Sequence, residues 1–289
     1  MSNWIDAHLH LTDLRIADRV PSLLDEARRA GIVGFGLGGI EPAEWERQKQ
    51  LSAKYPGTFF HAFGLHPWWV AERTSKEELD TGLERLRNEL DCRPRACLAI
   101  GETGLDFHPR FSEMSHADQE WVFRAHLRLA LEHGLPLVLH VVRAHERALA
   151  ILDEERRVAS SRLAYQGIVH SFSDSLSVAS AYLKMGFTLS ISASVITRGR
   201  GTAFEKLRQT MVTLPATAFV FETDSPDQPL AGESGMNRPS NLVKIAEAVA
   251  ALRKDHFPNE TARELLDQAA DTVRRVFKWD SVGSVGVER

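Results

Sequence analysis

Short runs of aliphatic, β-branched and aromatic residues alternate with longer stretches of helical periodicity along the whole chain. The runs predict strands at Trp4–His8, Ile32–Leu37, Phe59–Gly64, Cys97–Gly101, Leu137–Val141, Gly167–His170, Phe187–Ile191 and Phe219–Glu222. Between them the pattern predicts helices at Ser22–Ala30, Ala43–Lys54, Lys76–Leu90, Ala117–His133, Ala144–Arg157, Leu176–Met185 and Ala203–Met211. In the fourth of these, Trp121, Ala125 and Leu129 are expected to face the core, and Gly134-Leu135-Pro136 to stop the helix. Eight strand–helix units spaced about 30 residues apart imply parallel neighbours, because each helical crossover returns the chain in the same direction. The expected fold is therefore α/β, a closed (β/α)8 barrel of TIM type. An open doubly wound sheet is the alternative, but no G-x-G-x-x-G follows the first strand.

Two further helices, Leu242–Lys254 and Thr261–Val276, follow the last strand. No low-complexity linker divides the chain, so a single domain over 1–289 is expected, with a core of 1–276 and a tail of 277–289. The 289 residues carry 35 Lys+Arg against 39 Asp+Glu, a formal charge of −4. That balance excludes a broad basic coat, so any nucleic-acid contact has to be local or metal-mediated. The two cysteines, Cys92 and Cys97, are too few for a disulfide framework and are expected as reduced thiols. No basic segment followed by an apolar run opens the chain, and the longest apolar stretches fall far short of the roughly 20 residues of a membrane span. A cytoplasmic protein, monomeric by default and with no membrane partner, is the expectation.

Where the histidines and acids sit carries the chemistry. His8 and His10 close the first strand, and a period of two puts both imidazoles on one face. Strand three runs into His66, strand four into Glu102, strand five into His140, strand six into His170, and strand eight into Glu222 and Asp224. These are all C-terminal strand ends, where the βα-loops of a barrel converge on its active site. Four histidines (His8, His10, His140, His170) and two acids (Glu102, Asp224) suit Zn, Mn, Fe, Co or Ni, while carboxylates alone would suit Mg. Six ligands exceed what one tetrahedral ion with an open position uses. Two divalent ions about 3.5–4 Å apart, bridged by one acid and a water, are the economical arrangement for hydrolysis.

The motifs His8-Leu9-His10, Gly64-Leu65-His66-Pro67, Gly101-Glu102-Thr103-Gly104-Leu105-Asp106, Leu135-Pro136-Leu137-Val138-Leu139-His140, His170-Ser171-Phe172-Ser173 and Glu222-Thr223-Asp224-Ser225-Pro226 occur in this order over about residues 3–275. In order and spacing the chain resembles the TatD family of metal-dependent hydrolases, within the amidohydrolase-like barrels. Pro226-Asp227-Gln228-Pro229-Leu230 and Asn237-Arg238-Pro239 look most like the TatD-like branch rather than the founding nuclease. The resemblance implies that His8, His10 and Asp224 hold one ion, that His140 and His170 hold the other, and that Glu102 bridges them. It also implies a deoxyribonuclease, often a 3′→5′ exonuclease, with nucleic acid as its partner (single-stranded DNA or RNA ends). The sequence departs from the family pattern at two places: Val142 stands where an arginine is common, with Arg143 next to it, and Ser171 and Asp174 stand where Cys and Gly are frequent.

On this reading a water activated by the two ions attacks in line. Asp224 and Glu102 are the catalytic acids, and Asp224, or Glu222 behind it, accepts or orients the water proton. Glu222 and Asp106 are expected behind the ligands. Candidate phosphate contacts are His66, Arg143, Arg198, Arg200 and Arg238, and Trp68 and Trp69 could stack on bases. The other histidines are expected on the surface or in packing. A small-molecule phosphoester, ester or amide hydrolase on the same site is the competing reading. Many such enzymes bridge their ions with a modified lysine on strand four, where this chain has Glu102. A non-catalytic metal-binding scaffold is the minor alternative; all six ligands are present.

Overall fold

The computed structural model describes residues 2–158, 165–197 and 201–279. Eight strands form one parallel sheet in the order β1 to β8: β1 (Trp4–Leu9), β2 (Ile32–Gly38), β3 (Phe59–Phe63), β4 (Cys97–Asp106), β5 (Leu137–Val142), β6 (Gly167–Val169), β7 (Phe187–Ile191) and β8 (Phe219–Phe221). The chain just beyond β8 closes the barrel against β1: Asp224 N–H donates to the His8 carbonyl at 3.1 Å, and His10 N–H donates to the Ser225 carbonyl at 2.7 Å. The closure therefore lies at the C-terminal ends of the strands.

The helices are α1 (Val20–Arg29), α2 (Pro42–Lys54), α3 (Pro67–Ala71), α4 (Lys76–Asp91), α5 (Ser115–His133), α6 (His145–Val158), α7 (Leu176–Lys184), α8 (Ser194–Thr197), α9 (Thr202–Thr213), α10 (Leu242–Arg253) and α11 (Ala262–Phe277). Their ends follow local chemistry. Ser75 with Glu78, and Thr261 with Glu264, form reciprocal capping boxes at the starts of α4 and α11. Proline occupies the first turn of α1, α2 and α3, where a missing N–H costs nothing. Gly134 stops α5 in the left-handed region at φ 61°. The buried face of α5 is turned one residue from expectation: Val122, Phe123, His126, Leu127 and Ala130 are buried with Leu129, while Trp121 and Ala125 sit at the edge. Lys76 covers Trp121, its Nζ 3.6 Å from the ring centre.

Two elements, α3 and α8, have no counterpart in the sequence pattern, because one turn is too short to display a period of 3.6. Strand β4 also runs five residues past its expected end. The expected strand ends at Gly101, but Gly101 (φ 146°) and Gly104 (φ 140°) let β4 approach β5 closely. A Cβ on Gly101 would lie 2.5 Å from the Val138 carbonyl, and one on Gly104 2.1 Å from that of His140.

Apolar residues fill both faces of the sheet. The interior holds mostly small and medium side chains, Ile5, Ala7, Ala62, Ala99, Val138, Ile168 and Val220, with the larger Phe60 among them. Helix α11 shuts the N-terminal end of the barrel, with Phe277 and Trp279 packed against Phe60 at tilted angles, 4.6 and 5.2 Å between ring centres. Phe277 and Trp279, which the sequence reading put in the tail, are thus buried, and 280–289 lie outside the described residues.

Arg253 on α10 is fully buried. Its guanidinium donates to the Leu214 carbonyl at 2.8 Å, to the Met211 carbonyl, and to Glu260 through both of its oxygens. It satisfies the last carbonyls of α9, which have no partner within that helix. Arg253→Ala is expected to cost about 3–5 kcal/mol by leaving Glu260 and those carbonyls unpaired. Urea unfolding checks this, and a loss below about 1 kcal/mol would contradict it.

Candidate metal centre

Strand β1 does not deliver its histidines by simple alternation. Ile5 and Ala7 point into the barrel, so a strict period of two would send Leu9 inward and the histidines outward. A register shift between Asp6 and Leu9 reverses the parity: Leu9 and Leu11 join the outer core, and His8 and His10 face the mouth. Strand β4 repeats the device. Ala99 points inward, and a shift between Ile100 and Thr103 turns Glu102 to the same side.

Glu102 lies at the centre, almost completely buried. Its Oε1 is 3.3 Å from His8 Nε2 and 3.2 Å from His10 Nε2; its Oε2 is 3.6 Å from His66 Nε2, His140 Nδ1 and His170 Nε2. Asp224 Oδ1 lies 3.4 Å from His10 Nε2 and 3.9 Å from His8 Nε2. Donor atoms within 4.8 Å of one another form three overlapping groups: His8, His10 and Glu102; His8, His170 and Asp224; His66, Glu102 and His140. All six expected ligands are therefore brought together, with His66 beside them. His8 Nε2 and Glu102 Oε1 are buried without a hydrogen-bond partner among the described residues. Buried polar atoms left open toward each other, in a set of imidazoles and carboxylates, are what divalent cations satisfy. The overlapping clusters make a two-ion centre.

The two later histidines are held from behind. Glu222 Oε1 is 2.8 Å from His170 Nδ1 and accepts Ser171 N–H at 2.6 Å, while its Oε2 accepts the Ser190 hydroxyl. Glu222 is thus committed to orienting His170. Asp106 Oδ2 is 3.3 Å from His140 Nε2 and accepts Trp68 Nε1–H at 2.6 Å. These carboxylate–imidazole contacts fix which ring nitrogen faces the cluster. Asp6 accepts Thr223 N–H at 3.0 Å and ties the end of β8 to β1 behind His8.

His66 differs from its neighbours. Its Nδ1 accepts Trp68 N–H at 3.0 Å, and burial together with the neighbouring His140 pushes the imidazole well below its ordinary pKa. The neutral ring therefore carries its proton on Nε2 and presents a donor to the cleft, not a lone pair to a cation. His126, expected in packing, is fully buried on α5 and steadies this corner by accepting Leu65 N–H at 3.0 Å.

Three residues that the sequence reading missed shape the centre. Gly38, at the end of β2, lies under both imidazoles: a Cβ there would fall 2.3 Å from His8 Cε1 and 2.9 Å from His10 Cε1. Gln228 donates through Nε2 to Asp224 Oδ2 at 2.7 Å and to Ser171 Oγ at 2.8 Å, so Oδ1 is the Asp224 oxygen left for the histidines. Gln119 accepts Asp106 N–H at 2.8 Å. Glycine and glutamine carry no chemical signature in a sequence, so only the distances single them out.

A cleft of about 1020 Å³ opens over the cluster, lined by Arg15, His66, Trp68, Arg143, Lys206 and Gln228 among others. Arg143 is exposed there. Arg238 is turned elsewhere, because Glu26 on α1 holds its guanidinium at 3.3 Å, and it does not line the cleft. Arg198 and Arg200 lie outside the described residues. Trp68 lines the cleft, whereas Trp69 packs against Gly82 of α4 under the guanidinium of Arg73.

The electrostatics are coupled. Burial pushes the Glu102 carboxyl up, but His8, His66 and His170 together hold it well below the usual carboxylate range. Burial likewise opposes Asp224, which His170 and His10 bring down to about 2. In return, and again against burial, Glu222, Asp224 and Glu102 raise His170 to about 10. His10 and His140 are also raised, by Asp224 with Glu102 and by Asp106 with Glu102. At about 10, the His170 imidazole keeps its proton at neutral pH in the metal-free protein, and a cation bound there has to displace it. Metal affinity is therefore expected to rise with pH from about 6.5 towards 10, with release of at least about one proton. Calorimetric titration with Mn²⁺ in buffers of different ionisation enthalpy measures that release; none at pH 7 would contradict it.

Comparison with known proteins now bears on this geometry. Residues 5–278 match the family model described as TatD related DNase. The chain belongs to that family. It is 30% identical over 268 residues to the uncharacterized metal-dependent hydrolase YjjV of Escherichia coli (strain K12), covering 91% of this chain and 95% of that one. It is 32% identical over 280 residues to the 3′-5′ ssDNA/RNA exonuclease TatD of Pantoea sp. (strain At-9b), covering 94% and 98%. The crystal structure of the Escherichia coli K12 YjjV protein superimposes with a TM-score of 0.80 at 26% identity, over 95% of this chain and 98% of that one. The family membership and the donor clusters agree: this is a metal-dependent hydrolase on an amidohydrolase-like barrel. Among the described residues, no helix is long and apolar enough to cross a membrane.

Proposed function

We propose that this protein is a phosphodiesterase that removes nucleotides from the 3′ ends of single-stranded DNA or RNA. One observation carries the reading: a buried carboxylate, Glu102, is ringed by five imidazoles and opens onto a cleft that also presents the His66 Nε2 donor and the Arg143 guanidinium. The Pantoea relative bears the name of a 3′-5′ ssDNA/RNA exonuclease, which supports the same substrate class.

In this proposal His8, His10 and Asp224 would hold one ion and His140 and His170 the other, with Glu102 serving both. Bound there, the ions would supply Lewis-acid activation of water and neutralise charge on the phosphoryl group. Asp224 Oδ1, its companion oxygen held by Gln228, takes the proton of the attacking water. His66 Nε2–H donates to a phosphoryl oxygen, and Arg143 faces the charge that develops there. Glu222 and Asp106 keep His170 and His140 in register.

One feature favours a second reading. The cleft is lined by Asp13, Glu44, Asp174 and Asp227 besides Glu102 and Asp224, against Arg15, Arg143 and Lys206 among the described residues. Arg15 is itself paired with Asp13 and Asp227 at 2.6 and 2.8 Å. That balance suits a small phosphoester or ester better than a long polyanion. The test is hydrolysis of single-stranded DNA and RNA oligonucleotides, alongside a simple phosphodiester, by metal-stripped protein given Mg²⁺, Mn²⁺, Co²⁺ or Zn²⁺. Stepwise shortening from the 3′ end, lost in the His8→Ala/His10→Ala protein, is the expected result. Turnover of the simple ester alone would overturn the nuclease reading in favour of the second.

A further inference from the structure

We propose that Trp68 and Arg110 form a stacking subsite for the nucleobase next to the scissile phosphate. The inference deepens the nuclease reading and rests on it. Large apolar side chains are left exposed at Leu14, Trp68, Met114 and Val158 among the described residues, and of these only Trp68 lines the cleft. A tryptophan 39% exposed on the wall of a polar cleft forgoes burial that its ring would otherwise gain.

The ring is nevertheless fixed. Trp68 Nε1–H donates to Asp106 Oδ2 at 2.6 Å, so the plane of the indole is set by the same carboxylate that contacts His140 at 3.3 Å. The rings of His66 and His140 stand nearly perpendicular to it, 4.8 and 6.0 Å away between centres. A planar group stacked on Trp68 is therefore adjacent to the donor cluster, where a nucleotide bearing the reacting phosphate has to place its base.

Arg110 marks the stacking position. Its guanidinium carbon lies 4.1 Å from the centre of the Trp68 ring and 4.6 Å from that of Phe111, and Nη2 is 3.7 Å from Asp106 Oδ2. The guanidinium is planar, cationic and half exposed on a flexible stem. A base takes its place against the indole, and the guanidinium moves to the far face of the base. Stacking of this kind is tolerant of sequence, because every base has a π face.

The experiment uses the metal-loaded protein and two oligonucleotides that differ only in an abasic site at the 3′-terminal nucleotides. The wild-type protein is expected to prefer the base-bearing substrate by about ten- to a hundredfold in kcat/KM, mostly through KM. In Trp68→Leu that ratio is expected to fall to near one, while Trp68→Phe, which keeps a ring but loses the N–H to Asp106, retains most of it. A Trp68→Leu protein that loses activity on both substrates in proportion would overturn the subsite and leave Trp68 as a prop for Asp106. An unchanged ratio, or no preference in the wild type, would overturn it as well. Turnover of a simple phosphodiester with neither oligonucleotide cut would show the nuclease reading itself to have failed, and the subsite with it.

Discussion

Glu102→Ala is expected to lower hydrolysis on the order of a thousandfold or more at any metal concentration, with the barrel still folded. Among the described residues, Glu102 is the carboxylate that lies within 3.6 Å of all four of His8, His10, His140 and His170. Its charge is also what holds the surrounding imidazoles in one place: without it, Asp224 is the carboxylate left beside His8 and His10, while His140 and His170 keep only Asp106 and Glu222 behind them. Metal content measured after equilibrium dialysis is expected to fall from two ions to one or none per chain. Circular dichroism should show the same helix and strand content, because the interior and outer cores are apolar and do not involve Glu102. Retention of wild-type kcat/KM by Glu102→Ala would remove the bridging role.

The second large effect is expected at a residue with no side-chain chemistry of its own. Gly38→Ala places a methyl group 2.3 Å from His8 Cε1 and 2.9 Å from His8 Nε2. Gly38 does not lie in the left-handed region, so the backbone accepts alanine and the conflict falls on the imidazoles alone. The strand behind His8 is pinned by the Asp224 N–H and by Asp6, so the ring has to tilt away from Glu102. A misplacement of about 1 Å in a catalytic group costs about a hundredfold, and overpacking of this size costs about 1–3 kcal/mol. We therefore expect kcat/KM to drop about a hundredfold with a modest fall in stability. Steady-state kinetics at saturating Mn²⁺ and thermal unfolding check both, and near-wild-type kinetics would contradict the placement of His8.

These two positions also mark what a sequence can and cannot disclose. The eight strands and the convergence of His8, His10, Glu102, His140, His170 and Asp224 were legible, because apolar runs ending in a polar residue are local signals and the barrel brings one end of every strand together. The reason the histidine pair faces inward was not legible. Alternation from Ile5 and Ala7 gives the wrong face, and only a register shift, which depends on pairing with β2, corrects it. Gly38 and Gln228 act through proximity alone. The same limit explains Arg238: it sits in the loop after β8 as expected, but Glu26 from α1, more than two hundred residues away along the chain, claims its charge. His66 shows the converse case, since its Nδ1 contact with Trp68 N–H decides which nitrogen keeps the proton.

The central claim is a pair of cations held around Glu102. Diffraction from crystals soaked in Mn²⁺, with anomalous data collected, tests it most directly. The expected result is two peaks about 3.5–4 Å apart, one near His8, His10 and Asp224, the other near His140 and His170, with a Glu102 oxygen on each. A single peak, or two peaks of which Glu102 contacts only one, would contradict it.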